Sequence, residues 1–292
     1  MSTRGGTVSD SQSLYIVDAF ATRPFTGNPA AVCVCSEPAP DRWMQALAAE
    51  MNLSETAFVW PDGNGWRLRW FTPTVEVDLC GHATLAAAHI LLETGAADPA
   101  IPILFKTLGG ELTVRKTEAG IEMNFPAEPA VELPSGDMPE GLLQALRLSE
   151  PPRAIGRSRL DMLVELIDEA AVRALTPDIP AVAGLDVRGV IVTSRAGTAT
   201  AESIGVDFVS RYFAPAVGVA EDPVTGSAHC TLGPWWASRL GRNELMGAQV
   251  SARGGIVGVE CKGERVLLNG SAVTVVCGEL GKAAKPERNN NR

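Results

Sequence analysis

With three histidines, six cysteines and neither an H-E-x-x-H nor a paired C-x-x-C arrangement, this 292-residue chain lacks the ligand patterns from which zinc centres are built. No metal is expected. No G-x-G-x-x-G follows the first expected strand and no P-loop occurs, which disfavours a doubly wound nucleotide-binding fold. No run approaches the roughly 20 apolar residues that span a bilayer, so no membrane partner is expected. Positive charge is also in deficit. A net charge of -9 and a pI near 5.0 oppose phosphate backbones and anionic lipid, and no nucleic-acid partner is expected. The stretch Met1 to Gln12 is polar, with one arginine and no apolar centre. It does not read as an export signal, so the expected location is cytoplasmic and the cysteines are expected to stay reduced.

What is present is a pair of related segments. Glu76-Val77-Asp78-Leu79-Cys80-Gly81-His82-Ala83-Thr84 and Glu221-Asp222-Pro223-Val224-Thr225-Gly226-Ser227-Ala228-His229 lie half the chain apart. Each runs from an acidic pair through a glycine turn to a small or polar residue that opens an apolar stretch. A glycine turn opening a helix leaves backbone N–H groups unpaired at the positive end of the helix dipole, a site for a small anion. Two such ends facing one another would enclose one acidic molecule.

The hydrophobic pattern predicts an α+β chain. Strands are expected at 14–20, 30–35, 57–60, 66–71, 103–107, 111–116 and 121–125, with an amphipathic helix from Asp41 and an apolar helix over 83–94 ended by Gly95. Pro126-Ala127-Glu128-Pro129 with the turn at 133–136 marks a linker. Beyond it the order repeats. Helices are expected at 141–146, 169–175 and 227–240, and extended segments at 161–167, 190–193, 208–213, 249–252, 256–262, 265–268 and 272–277. The expected division is a disordered terminus over 1–13, a first lobe over 14–127, a second lobe over 128–277 and a tail over 278–292. Each lobe is drawn as strands wrapped about a central buried helix. His89 is expected in the core, as are Cys33 and Cys35, and His229 is left open between core and site.

Further residues carry a resemblance. Val17-Asp18-Ala19-Phe20, Phe25-Thr26-Gly27-Asn28-Pro29-Ala30-Ala31-Val32, Asn52-Leu53-Ser54-Glu55-Thr56-Ala57-Phe58 and Arg69-Trp70-Phe71-Thr72-Pro73 join the two glycine segments. With this set the chain resembles the phenazine-biosynthesis PhzF-like isomerase family, within the diaminopimelate epimerase-like fold. The resemblance implies two pseudo-symmetric lobes, each a barrel-like, mostly antiparallel sheet about a buried helix, with an active site between them. It implies no metal or organic cofactor, a small carboxylate-bearing substrate, and a homodimer. Carried over by position, Glu55 matches the family's general acid/base, and His82 and Asp222 its polar partners. Gly81, Gly226 and Ser227 match the groups that hold the substrate's carboxylate.

A carboxyl group in an apolar, water-poor site has its pKa raised toward neutrality, so Glu55 could both take and return a proton. His82 could orient a carboxylate or assist an enolising centre. Ser227 reads equally as a helix N-cap and as a carboxylate clamp. Amino-acid epimerases of this general fold use two facing cysteines. Here Cys80 keeps the first position, yet the repeat offset carries it onto Thr225, so one-base isomerisation by Glu55 is preferred. The alternatives are a racemase, epimerase or dehydratase using Cys80, and a silent small-acid binding protein. Trp235, Trp236 and Tyr212 are the candidate cleft-wall aromatics.

Overall fold

The computed structural model describes residues 12–134 and 136–286. The disorder expected over 1–13 therefore lies outside the described residues up to residue 11, and Ser13 already opens the first strand; the tail expected over 278–292 is described as far as residue 286, and its first two residues end the last strand. The first half runs β1 (Ser13–Ala19), β2 (Asn28–Val34), α1 (Asp41–Met51), β3 (Glu55–Asp62), β4 (Gly65–Phe71), β5 (Glu76–Val77), α2 (Gly81–Glu93), β6 (Ile103–Thr107), β7 (Gly110–Thr117) and β8 (Gly120–Pro126). The second half begins with β9 (Val131–Glu132), α3 (Leu142–Ala145), β10 (Ala154–Arg157), β11 (Asp161–Glu165), α4 (Glu169–Ala174), α5 (Ile179–Ala183), β12 (Gly189–Arg195) and α6 (Thr198–Ile204). It continues with β13 (Phe208–Ala214), β14 (Val219–Asp222), α7 (Gly226–Leu240), β15 (Glu244–Gln249), β16 (Gly255–Lys262), β17 (Arg265–Gly270) and β18 (Ala272–Glu279).

The strand pairings repeat between the halves. β1–β2, β3–β4, β6–β7 and β7–β8 are antiparallel, while β2–β3 and β4–β6 are parallel. The same sequence of hands recurs in β10–β11, β12–β13, β15–β16 and β16–β17, with β11–β12 and β13–β15 parallel. A parallel neighbour needs a crossover, and α1 and α4 to α5 supply it at equivalent places. β8 pairs with β17 and joins the two halves. Each half wraps one helix. In α2 the run His82 to Ala88, together with Ile90 and Leu91, is buried, and α7 buries Ala228 to Gly233 and Trp235 to Ala237. A helix apolar on all sides is stable only where strands surround it.

Two expectations need correcting. The linear division placed 272–277 in the second lobe, but β18 hydrogen-bonds along its length to β1 and so completes the first half's sheet. β9 pairs with β10 within the second half. The strand expected over 249–252 is instead β15, whose Gly247 breaks the apolar alternation on which the reading depended. That glycine lets the Phe208 ring lie against the backbone, since a Cβ there would come within 2.4 Å of the ring.

α7 also carries Pro234. Proline lacks the N–H that would bond the carbonyl four residues back, that of Cys230. Glu128 N–H donates to this carbonyl at 3.1 Å, so the inter-lobe linker satisfies the acceptor that proline leaves open. Trp235 and Trp236 belong to the core: their indole N–H groups donate to Glu165 and Thr193, each at 3.0 Å.

Candidate active site

α2 and α7 meet N-terminus to N-terminus. A Cβ on Gly81 would lie 3.3 Å from the Cα of Gly226, and the reciprocal distance is the same. Glycine at both positions lets the two helix starts come this close without either pressing on the other. The helix N-caps are Cys80 and Thr225, both extended, and neither side chain accepts a hydrogen bond from its own helix. The expected N-cap role for Ser227 is therefore corrected: it is the second residue of α7, and its hydroxyl accepts from Arg188 Nη2 at 3.2 Å. Two positive helix ends converge on a cavity of about 460 Å³ lined by Glu55, Cys80, Gly81, His82, Asp222, Gly226 and Ser227, among others. All seven residues singled out from the sequence thus border one space.

Glu55 is the first residue of β3, where the parallel pairing to β2 sets it opposite Ala30. Its side chain is 17% exposed, and Oε2 lies 3.2 Å from His82 Nε2. That approach is off-axis, leaving both atoms without a well-formed hydrogen bond and open to a third party. Burial first, and the neighbouring Asp222 carboxylate second, raise the Glu55 pKa from 4.5 to about 7, against a lowering contribution from the Cys80 thiol. Burial likewise lowers His82 to about 3, so its imidazole is neutral at physiological pH. His82 Nδ1 lies 3.2 Å from the Asn28 amide nitrogen and 3.6 Å from Cys80 Sγ.

Asp222 ends β14. It accepts from Thr225 Oγ1 at 2.5 Å and from Asn28 Nδ2 at 2.7 Å, while Asn28 Nδ2 also donates to Val224 O at 2.9 Å. Burial raises its pKa from 3.8 to about 6, and the hydrogen bonds from Thr225 and Asn28 limit the rise. Asn28 is fully buried and ties the two halves together at the site. It belongs to the Phe25–Val32 motif, where the sequence alone assigns it no role. Burial, with Glu55 beside it, holds the Cys80 thiol well above its ordinary pKa. The ligand atoms of Glu55, Cys80 and His82 lie within 4.8 Å of one another, close enough to surround a cation. A thiol kept protonated and two positive helix ends oppose that use. His229 belongs to the core, its Nδ1 2.8 Å from Thr225 O and its ring against Phe208.

The second half supplies a group that the sequence did not single out. Asp161, 2% exposed, accepts from Arg188 Nε at 2.9 Å and from Tyr212 OH at 2.9 Å, and it also pairs with Arg188 Nη2. Tyr212 was read as a possible wall residue and does line the cavity. Arg188 and Asp161 are 27 positions apart with no motif to link them.

A family model described as a phenazine biosynthesis-like protein matches residues 17–278. A protein described as an uncharacterized isomerase from Halalkalibacterium halodurans is 48% identical over 267 residues, covering 91% of this chain and 97% of that protein. A crystal structure of a phenazine biosynthesis protein of the PhzF family from Enterococcus faecalis superposes with a TM-score of 0.85 at 41% identity, covering 93% of this chain and 99% of that one. A hydroxyproline epimerase from Agrobacterium vitis shares the fold alone, at a TM-score of 0.56 and 12% identity, over 94% of this chain and 93% of that one. The architecture is the diaminopimelate epimerase-like fold.

Proposed function

The chain belongs to the phenazine biosynthesis-like family, whose relatives include isomerases, and from that premise we propose that it is a cofactor-independent isomerase of a small carboxylate-bearing substrate. The carboxylate lies between the N-termini of α2 and α7, where free N–H groups and both dipoles stabilise it. Glu55, in its carboxylate form, takes a proton from a carbon next to an unsaturated bond. The electron pair left behind forms a new double bond as the old one shifts, and the far carbon receives the proton back from Glu55. One base therefore serves as base and then acid, and nothing is oxidised or reduced. Neutral His82 steadies Glu55 or a developing oxyanion at the substrate's carboxyl end. Asp222, fixed by Asn28 and Thr225, faces polar substituents of the substrate.

The observation that carries this reading is the position of Glu55: a shielded carboxyl group with a pKa of about 7, at the meeting point of two helix N-termini. Such a group exchanges protons in either direction near neutrality. The arrangement of thiols supports one base over two. Cys80 is held protonated, and its counterpart by repeat, Thr225, is engaged with Asp222.

The test is to screen a metabolite extract by thermal shift and incubate the acids that bind in deuterated water. Wild-type protein is expected to place deuterium on carbon. Glu55→Gln should bind the same acids without exchange, and Cys80→Ser should retain exchange. Exchange that survives in Glu55→Gln removes the proposal, and its loss in Cys80→Ser moves the chemistry to the thiol.

A further inference from the structure

Arg188 is built into the cavity wall with more support than a surface ion pair needs. It immediately precedes β12, and Gly189 beside it has no side chain. A Cβ there would fall 2.5 Å from the Tyr212 hydroxyl, so the glycine lets the phenol lie close and donate to Asp161. Asp161 accepts the Arg188 fork and the phenol together, and Ser227 engages Nη2 from the start of α7. The guanidinium is thus held in one orientation before any ligand arrives, and the ordering entropy is already spent in folding. Buried ion pairs contribute little net stability, so this degree of enclosure is better explained by a site than by the fold.

The fork leaves one edge unused. Nε and Nη2 have protein acceptors, whereas among the described residues no hydrogen bond takes Nη1, although Arg188 lines the cavity. Arg159 lines the same wall, paired with Glu128 at 2.7 Å. Glu128 and Asp161 line this wall too and balance the charge of the two arginines, so what it offers a ligand is the open Nη1 donor and not net positive charge. A cavity of about 460 Å³ is far larger than one carboxylate requires. Arg188 reaches the start of α7 through Ser227, so an acid anchored at the helix ends has room in the same cavity to turn a second polar group to Nη1.

Building on the isomerase reading, we propose that the substrate is a dicarboxylic acid, with one carboxylate at the helix N-termini and the second accepting from the free Nη1 edge of Arg188. Arg188 is then the residue that selects among acids, and Asp161 and Tyr212 are its positioning residues.

Calorimetric binding of matched unreactive acids tests this: 3-methylbenzoate against isophthalate, and pentanoate against glutarate. In wild-type protein the diacid of at least one pair should bind about tenfold tighter than its monoacid. Arg188→Lys keeps a cation beside Asp161 but has no second N–H edge. It should reduce that ratio to about threefold or less while monoacid affinity stays within about twofold. A purely structural role would weaken both acids alike. Equal binding of diacid and monoacid in wild type, or a ratio that survives Arg188→Lys, overturns the assignment and leaves the isomerase reading standing. Failure of every monoacid and diacid to bind wild type overturns the carboxylate site itself, and the assignment with it.

Discussion

Glu55→Gln should stabilise the protein at alkaline pH and do almost nothing at acid pH. In the unfolded chain Glu55 ionises at its ordinary 4.5, whereas in the folded protein burial and Asp222 delay ionisation to about 7. A folded pKa above the unfolded one means that the native state holds its proton more tightly. The wild-type protein is therefore favoured below about 4.5 and loses stability progressively as pH rises from there through about 7. That interval corresponds to about 3 kcal/mol for this one group. Glutamine has nearly the same shape and never ionises, so the variant escapes the loss. Asp222 is present in both proteins, and the difference between them isolates Glu55. For a chain of this size each kcal/mol moves the midpoint by about 2–4 °C, so the variant should melt roughly 6–12 °C above wild type at pH 8.5 and within about 2 °C of it at pH 4.5. Differential scanning calorimetry across that range is the assay, with urea titrations at the two extremes as a check. A gap that does not change with pH, or a wild type more stable than the variant at pH 8.5, refutes the claim that Glu55 is a buried, reluctantly ionised carboxyl group.

The same shift sets a kinetic profile: because Glu55 must begin as the carboxylate, deuterium incorporation into a bound acid should rise with pH through about 7, and a flat profile from pH 5 to 9 contradicts the assignment. Gly226→Ala presses a methyl group against the Gly81 backbone at 3.3 Å, which costs about 1–2 kcal/mol of stability and should weaken carboxylate binding by about tenfold. Combined with Gly81→Ala, the loss should exceed the sum of the single effects in denaturant titrations, because the two new methyl groups contend for one gap.

Much of the site was legible because it lies in short contiguous segments. Cys80 to His82 and Asp222 to Ser227 each open a helix, so a linear reading already placed them at helix starts, and Glu55 stood beside them through its motif. Arg188 and Asp161 were not legible. Each sits in an ordinary strand-edge context, and only the parallel pairing of β11 with β12 places Asp161 opposite Gly189 and so beside the arginine. Asn28 was legible as part of a turn, but its role depends on reaching Asp222, 194 positions away. The fold follows the same division. Apolar helices and long strands declare themselves by periodicity, whereas β15 is masked by a glycine whose purpose is to receive Phe208. The lobe assignment of β18 is a matter of tertiary pairing that no local pattern encodes.

That pairing constrains how the protein is made. Ser13 opens β1 opposite Glu279 in β18, so the first of the described strands waits for the last. Until residues 272–279 emerge, one edge of β1 has no strand to hydrogen-bond, and an open edge invites association with other chains. A polypeptide that stops before residue 272 would contain the residues of α2 and α7 but leave the first barrel unsealed.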